Sequence, residues 1–354
     1  STFGFVDQQK LELLSKINYS FEIAVSKDSN LTIPDNCNVV RGYRKSLSLT
    51  LSSDDDLNSL LTSLVGINLH SGQLTVGDLE IAFSLEDDDK QNAAMFGHHK
   101  LEALMGMPCD SLTIKDLIED NFTLRKLRCH KLTLIRCEEI EVQIDAGSTV
   151  EEVVLIDCRA SSKDIINSLS VKDVDSVSLQ NSQVLSLRLI DVLHVELSDS
   201  YVTQTKIVGA TKVNIGNVNT SSFNTSLVGL LNVQGLNTNE GSIAADKMQV
   251  SELSGCDKDH SYCSILSPSA ILDNIELTEL SLVGAFKLSN INVQNLYTPN
   301  PSEHGGSQLS LDEWYGPELT MDSPSIVVDT KHLSKLEIED GDVAQNFYIQ
   351  VTSS

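Results

Sequence analysis

With 25 basic against 50 acidic side chains in 354 residues, the chain carries a formal net charge of −25. A field of that sign repels phosphate, which sets nucleic acid and anionic lipid aside as partners. No run of eighteen apolar residues occurs, so no helix is expected to cross a membrane. Apolar residues make up 40% but aromatic ones only 5%, so any core must be built from Leu, Val and Ile.

The first hundred residues read as a small mixed α/β cap, 1–105. The stretch 1–16 carries charges and lacks the apolar region of a secretory leader. Ser1 fits both a removed leader and an excised initiator Met. Asp7 is placed to cap a short helix through Leu11, Leu13, Leu14 and Ile17. A strand is expected over 21–25, and a second over 46–51 with Leu47, Leu49 and Leu51 on one face. Asp54, Asp55 and Asp56 then open a helix, because carboxylates satisfy exposed N–H groups and oppose the positive dipole end. Leu57, Leu60, Leu61 and Leu64 continue it. Leu74 with Val76 suggests another strand, and 86–90 is a charged turn before a helix near 92–104. Such a cap would cover the first exposed coil of a repeat stack.

From Leu112 the pattern changes to a repeat, giving a second domain over 106–354. The unit is apolar, any, apolar, two more, then a small or apolar residue. It runs Leu112, Ile114, Leu117; Leu132, Leu134, Cys137; Val153, Leu155, Cys158; Val177, Leu179, Ser182; Val195, Leu197, Ser200; Val213, Ile215, Val218; Leu231, Val233, Leu236; Met248, Val250, Leu253. Measured at the second apolar residue, the steps are 20, 21, 24, 18, 18, 18 and 17 residues. In a strand, i and i+2 face the same way, so each pair points into one core and a fixed return distance stacks equivalent strands in parallel. The expected fold is therefore mainly β, a parallel β-solenoid of about 18–24 residues per coil. The phase blurs over 254–269. Ile291, Val293, Leu296 and then Leu309, Leu311, Trp314 are expected to resume it, with Ile326, Val328 and Leu336, Ile338 as weaker members.

A second apolar beat of Leu187, Leu189, Ile207, Leu227 and Ile243 implies two strand-bearing sides per coil. Earlier coils are longer, and 161–169 has a helical look after a serine. Through Leu127, Leu132, Leu134, Cys137 and Val153, Leu155, Cys158 these coils resemble leucine-rich repeats, although the usual Asn is absent and eighteen residues is shorter than that family's unit. The resemblance implies a strand on one side of each early coil and a thiol buried just after it.

The chemistry-bearing residues divide into few groups. Cys129, His130, Cys137 and Cys158 lack the close pairing that pre-forms a zinc site, so they read as structural. Cys256 and Cys263 enclose Asp257, Lys258, Asp259, His260, Ser261 and Tyr262. That loop fits a local disulfide, two free thiols or, less well, a metal site, and its Asp257, Asp259, His260 and Tyr262 form a candidate interaction loop. Asp54, Asp55, Asp56 and the acids of 86–90 lack the alternating spacing of a calcium loop. Asp191, Glu196 and Asp199, and Asp312 with Glu313 beside Trp314 and Tyr315, are the carboxylates a solenoid glycosidase would use. No nucleophile elbow or phosphate-cradling glycine motif occurs. His98, His99, Lys331 and His332 read as surface residues. Sequons stand at Asn18, Asn30, Asn121, Asn219 and Asn224, and chance accounts for most matches in a chain so rich in Asn, Ser and Thr. They lean outward without fixing a compartment.

These features suggest a non-enzymatic scaffold that offers a long surface to a protein partner or to assembly, with neither cofactor nor catalytic or metal-ligating residues. A secreted, virion or cell-surface coat belongs to the same class. The unpaired edges of terminal coils favour self-association, and 346–351 would supply a strand to cover one. A carbohydrate-active β-helix is the enzymatic alternative.

Overall fold

The computed structural model describes residues 41–51, 73–83, 98–159, 168–257, 260–297, 307–311 and 333–338. The elements expected over 7–17, 21–25, 54–64 and 86–90 lie outside these residues, as do Asp312 to Tyr315, Ile326, Val328, Lys331, His332 and 346–351. The described residues are almost entirely parallel β, and the fold is the β-solenoid that the periodicity requires. Two compact units divide the chain, Ser1–Ser168 and Leu169–Ser354.

In the first unit the strands are β1 (Arg41–Leu51), β2 (Gln73–Phe83), β3 (Cys109–Lys115), β4 (Ile118–Leu124), β5 (Lys131–Ile135), β6 (Glu138–Ile144) and β7 (Glu152–Ile156). One ladder aligns Leu47, Leu79, Leu112, Leu132 and Val153, with Leu49, Ile81, Ile114, Leu134 and Leu155 two residues on. The ladder thus reaches back to β1, through the strands expected over 46–51 and at Leu74 with Val76. The longer steps there hid the kinship. Helix α1 (His98–Met105) occupies part of one such long connection. It buries Leu101, Leu104 and Met105 at helical spacing, and His98 lies against Phe122 of β4 at 5.5 Å between rings. The return sides are strands too, with β4 pairing in parallel with β6.

Corners are marked by backbone in the left-handed region. Asp116, Arg136 and Asp157 take φ of 57°, 50° and 53° just before the third position of each repeat. Asp and Asn tolerate that region better than most side chains. Arg136 departs from the preference, and its guanidinium grips Asp116 one coil away, Nε to Oδ1 at 2.6 Å and Nη2 to Oδ2 at 2.8 Å. The third-position residues Leu117, Cys137 and Cys158 are all buried, as the repeat requires.

The second unit contains β8 (Ser168–Gln180), β9 (Gln183–Ser198), β10 (Tyr201–Val208), β11 (Lys212–Gly216), β12 (Val218–Val233), β13 (Leu236–Val250), β14 (Leu253–Ser254), β15 (Tyr262–Tyr297), β16 (Ser307–Leu311) and β17 (Leu333–Ile338). Its coils carry three inward pairs each, not two. The first ladder is Val195, Val213, Leu231, Met248, Ala270 with Leu197, Ile215, Val233, Val250, Leu272. The second runs through Val218, Leu236, Leu253 and Ile275, with Val202, Thr220 and Thr238 beside it. The third is Leu187, Thr205, Phe223, Gly241, Cys263 with Leu189, Ile207, Thr225, Ile243, Ile265. The additional side was hidden because threonines fill it. Thr220 and Thr238 are buried, each donating its hydroxyl to a carbonyl two residues on, so a polar residue serves as core.

Three sequence assignments need correction. Leu227 is not an inward residue. It is 79% exposed at a corner with φ 54°, and Thr225 takes the core position between Ile207 and Ile243. Leu169 belongs to β8 and not to a helix, the rest of 160–167 lying outside the described residues. After Val250 the step lengthens, so Leu272 follows it at twenty-two residues. Leu309 and Leu311 then stack on Phe286 and Leu288, not on Ile291 and Val293. Leu336 and Ile338 do continue the ladder from Leu309 and Leu311.

Candidate interaction face

Inward burial of Val195, Leu197 and their counterparts leaves the intervening residues of β9, β11, β12 and β13 facing solvent. The register lines them up as a row of Glu196, Asn214, Asn232, Gln249 and finally Ile271. Successive members are spaced by the strand separation of about 4.8 Å. Within the row Asn232 donates Nδ2–H to Asn214 Oδ1 at 3.0 Å, fixing two carboxamides in one orientation. A flanking row holds His194, Lys212, Leu230 and Lys247.

A shallow cleft of about 450 Å³ follows this face, lined by Glu196, Ser198, Asn214, Gly216, Asn232, Gln234, Gln249 and Ser251 among others. A β-carbon at Gly216 would touch nothing within 4 Å, so the backbone there borders open space. Among the described lining residues Glu196 is the one carboxylate. Asp191 lies at a corner beneath Gly209, and Asp199 accepts a hydrogen bond from Asn217 Nδ2 at 3.1 Å beyond the other end of the strand. Asp191 and Asp199 therefore stand at the two corners of the side that carries Glu196. Amides, hydroxyls and ammonium groups make this a hydrogen-bonding surface.

No family model matches this chain, and neither a curated protein nor a solved structure does. The leucine-rich resemblance stands on its residue pattern alone, and the strand on the return side at β4 and β6 departs from the helical or irregular return of many such repeats.

The loop between Cys256 and Cys263 is brought only partly together. His260 Nδ1 lies 3.4 Å from Asp257 Oδ2 with both side chains exposed, and Asp257 N–H donates to Asn239 Oδ1 at 3.0 Å. Tyr262 is 42% exposed at the start of β15. Asp259 lies outside the described residues. Cys256 is exposed, its thiol 3.7 Å from the Thr220 carbonyl, whereas strand alternation turns Cys263 fully into the core. Both are thiols, not partners in a disulfide. Burial pushes the Cys263 thiol up to about 12.

The four residues that resembled a zinc set are sorted by coil. Cys129 is buried beside Cys109, and Cys137 beside Cys158, all four as free thiols. His130 points out to Glu151 at 3.4 Å. Among the described residues no three such side chains come together to hold a metal. Sequence reasoning missed both the outward row and Cys109. The signal was available in each case: Glu196, Asn214 and Asn232 recur at eighteen residues, and Cys109 precedes Cys129 by the twenty residues of the local coil.

Proposed function

We propose that the chain is a non-enzymatic scaffold whose second unit docks a protein partner, or another copy of itself, along the row Glu196–Asn214–Asn232–Gln249. The observation that carries this reading is the shape and chemistry of that face: four parallel strands present a shallow polar cleft with fixed amides and a single carboxylate. An extended surface of modest depth suits contact with another macromolecule better than enclosure of a small substrate. Glycoside hydrolysis needs two carboxylates flanking one bond, and the cleft supplies one. Extracellular or particle-surface placement is compatible with the same role.

The test is a photo-reactive amino acid placed at Asn232 and, separately, at Lys206 on another side of the coil, in the source cell. The docking face should give an adduct of discrete added mass from position 232 and none from 206. Equal labelling at both positions, or none at 232, would contradict the assignment. Cleavage of a polysaccharide by the purified chain would favour the enzymatic reading instead.

A further inference from the structure

Two pairs of cysteines in the first unit sit at neighbouring positions of successive coils. Cys109 and Cys129 lie two residues before the register partners Ser111 and Lys131. The pairing is carried through them by Cys109 N–H to the Arg128 carbonyl at 3.1 Å and His130 N–H to the Asp110 carbonyl at 2.9 Å. Cys137 and Cys158 lie two residues after the partners Ile135 and Ile156. Their thiols make equivalent contacts one coil apart: Cys137 Sγ is 3.5 Å from the carbonyls of Ile114 and Ile135, and Cys158 Sγ is 3.5 Å from those of Leu134 and Ile156. All four side chains are at most 4% exposed.

In-register parallel neighbours stand about 4.8 Å apart at Cα, within the range that a disulfide spans. Their β-carbons keep roughly that separation, slightly more than the bond prefers. Forming it requires the β-carbons to close by roughly 0.3–1 Å, and such a strained bond is more easily reduced. Within each pair the thiol hydrogen bond works unequally. It holds Cys129 and Cys158 below the ordinary thiol value, while Cys109 is held above it as the protonated partner, and Cys137 by burial first and by that bond second. In each pair one proton is therefore lost before the other, which sets a thiolate, the reactive form, beside an S–H.

We propose that Cys109–Cys129 and Cys137–Cys158 are reversible redox rungs, oxidised by a hydroperoxide to disulfides that tie one coil to the next. With hydrogen peroxide, the Cys129 thiolate attacks one oxygen and the O–O bond breaks. The departing hydroxide takes the proton Cys129 gave up and leaves as water. Cys109 sulfur then displaces the hydroxyl of the resulting sulfenic acid, which leaves as a second water with the Cys109 proton. Two thiols and one peroxide become one disulfide and two waters. Cys158 and Cys137 follow the same course. Peroxide is small and neutral, as a buried pair requires, and a dithiol reductant reverses the bond.

The experiment uses the full chain with Cys256→Ser, which removes the exposed thiol among the described residues. Native protein is treated with hydrogen peroxide, alkylated and mapped by mass spectrometry without reduction. Peptides joining Cys109 to Cys129 and Cys137 to Cys158 are expected, each short of two hydrogens and each restored by a dithiol. In a Cys109→Ser variant that keeps its circular dichroism, Cys129 should instead be trapped as sulfenic acid by a dimedone reagent. Where that variant does not fold, the linked-peptide map of the parent decides alone. Sulfinic or sulfonic acid without linked peptides, other pairings, or links only after unfolding would overturn the proposal.

Discussion

Leu197→Asp should unfold the coils around it, with a loss of about 5 kcal/mol or more. Leu197 is fully buried and stacks on Ile215 of the next coil. Losing its burial forfeits roughly 2–3 kcal/mol, and an unpaired carboxylate in that core adds several more. Ile215→Asp should match it, because Ile215 lies between Leu197 and Val233 in the same ladder. Glu196→Asp, one residue away on the solvent face, should stay within about 0.5 kcal/mol of the parent. Urea unfolding followed by circular dichroism reads all three. Equal tolerance at 196 and 197 would mean that the strand faces have been assigned the wrong way round.

The second large effect falls on the third ladder, where side-chain size alternates from coil to coil. Phe223 is fully buried between Thr205 on one side and Gly241 on the other. The large ring fills the space that its two small neighbours leave, so Phe223→Ala should cost about 3–5 kcal/mol through the cavity it opens. Gly241 is small for a second reason. A β-carbon there would meet Cys263 Sγ at 2.7 Å, so Gly241→Ala alone should cost roughly 1–3 kcal/mol by overpacking. Combining it with Cys263→Ala removes the clashing sulfur, and the double variant should be more stable than the two single losses sum to. Strict additivity would show that the two coils do not pack as described.

Much of this fold was legible because a solenoid writes its core into the sequence at a fixed interval. Val195, Val213 and Leu231 repeat at eighteen residues, and their stacking follows with no knowledge of distant contacts. Legibility failed where that physical signal weakens. The β1 and β2 strands belong to the same ladder as Leu112, but the steps from Leu47 to Leu79 and from Leu79 to Leu112 are far longer than the later ones and conceal the period. The side built on Thr220 and Thr238 was invisible because a threonine whose hydroxyl returns to its own backbone is core without being apolar. Leu227 misled for the converse reason, since an apolar residue at a left-handed corner faces outward. The outward polar row was harder still. Hydropathy reports what a core rejects, and an ordered row of Asn214 and Asn232 looks like any polar surface until the register aligns it.

The register is the claim on which the ladders, the face and the thiol rungs all depend. Methyl-labelled, deuterated protein is well suited to test it, because most of the core is Leu, Val and Ile. The stacking predicts nuclear Overhauser contacts from Val195 to Val213, from Val213 to Leu231 and from Leu231 to Met248, each reaching one coil along. Contacts that instead join these methyls at irregular separations, or in the reversed order of antiparallel strands, would contradict the solenoid.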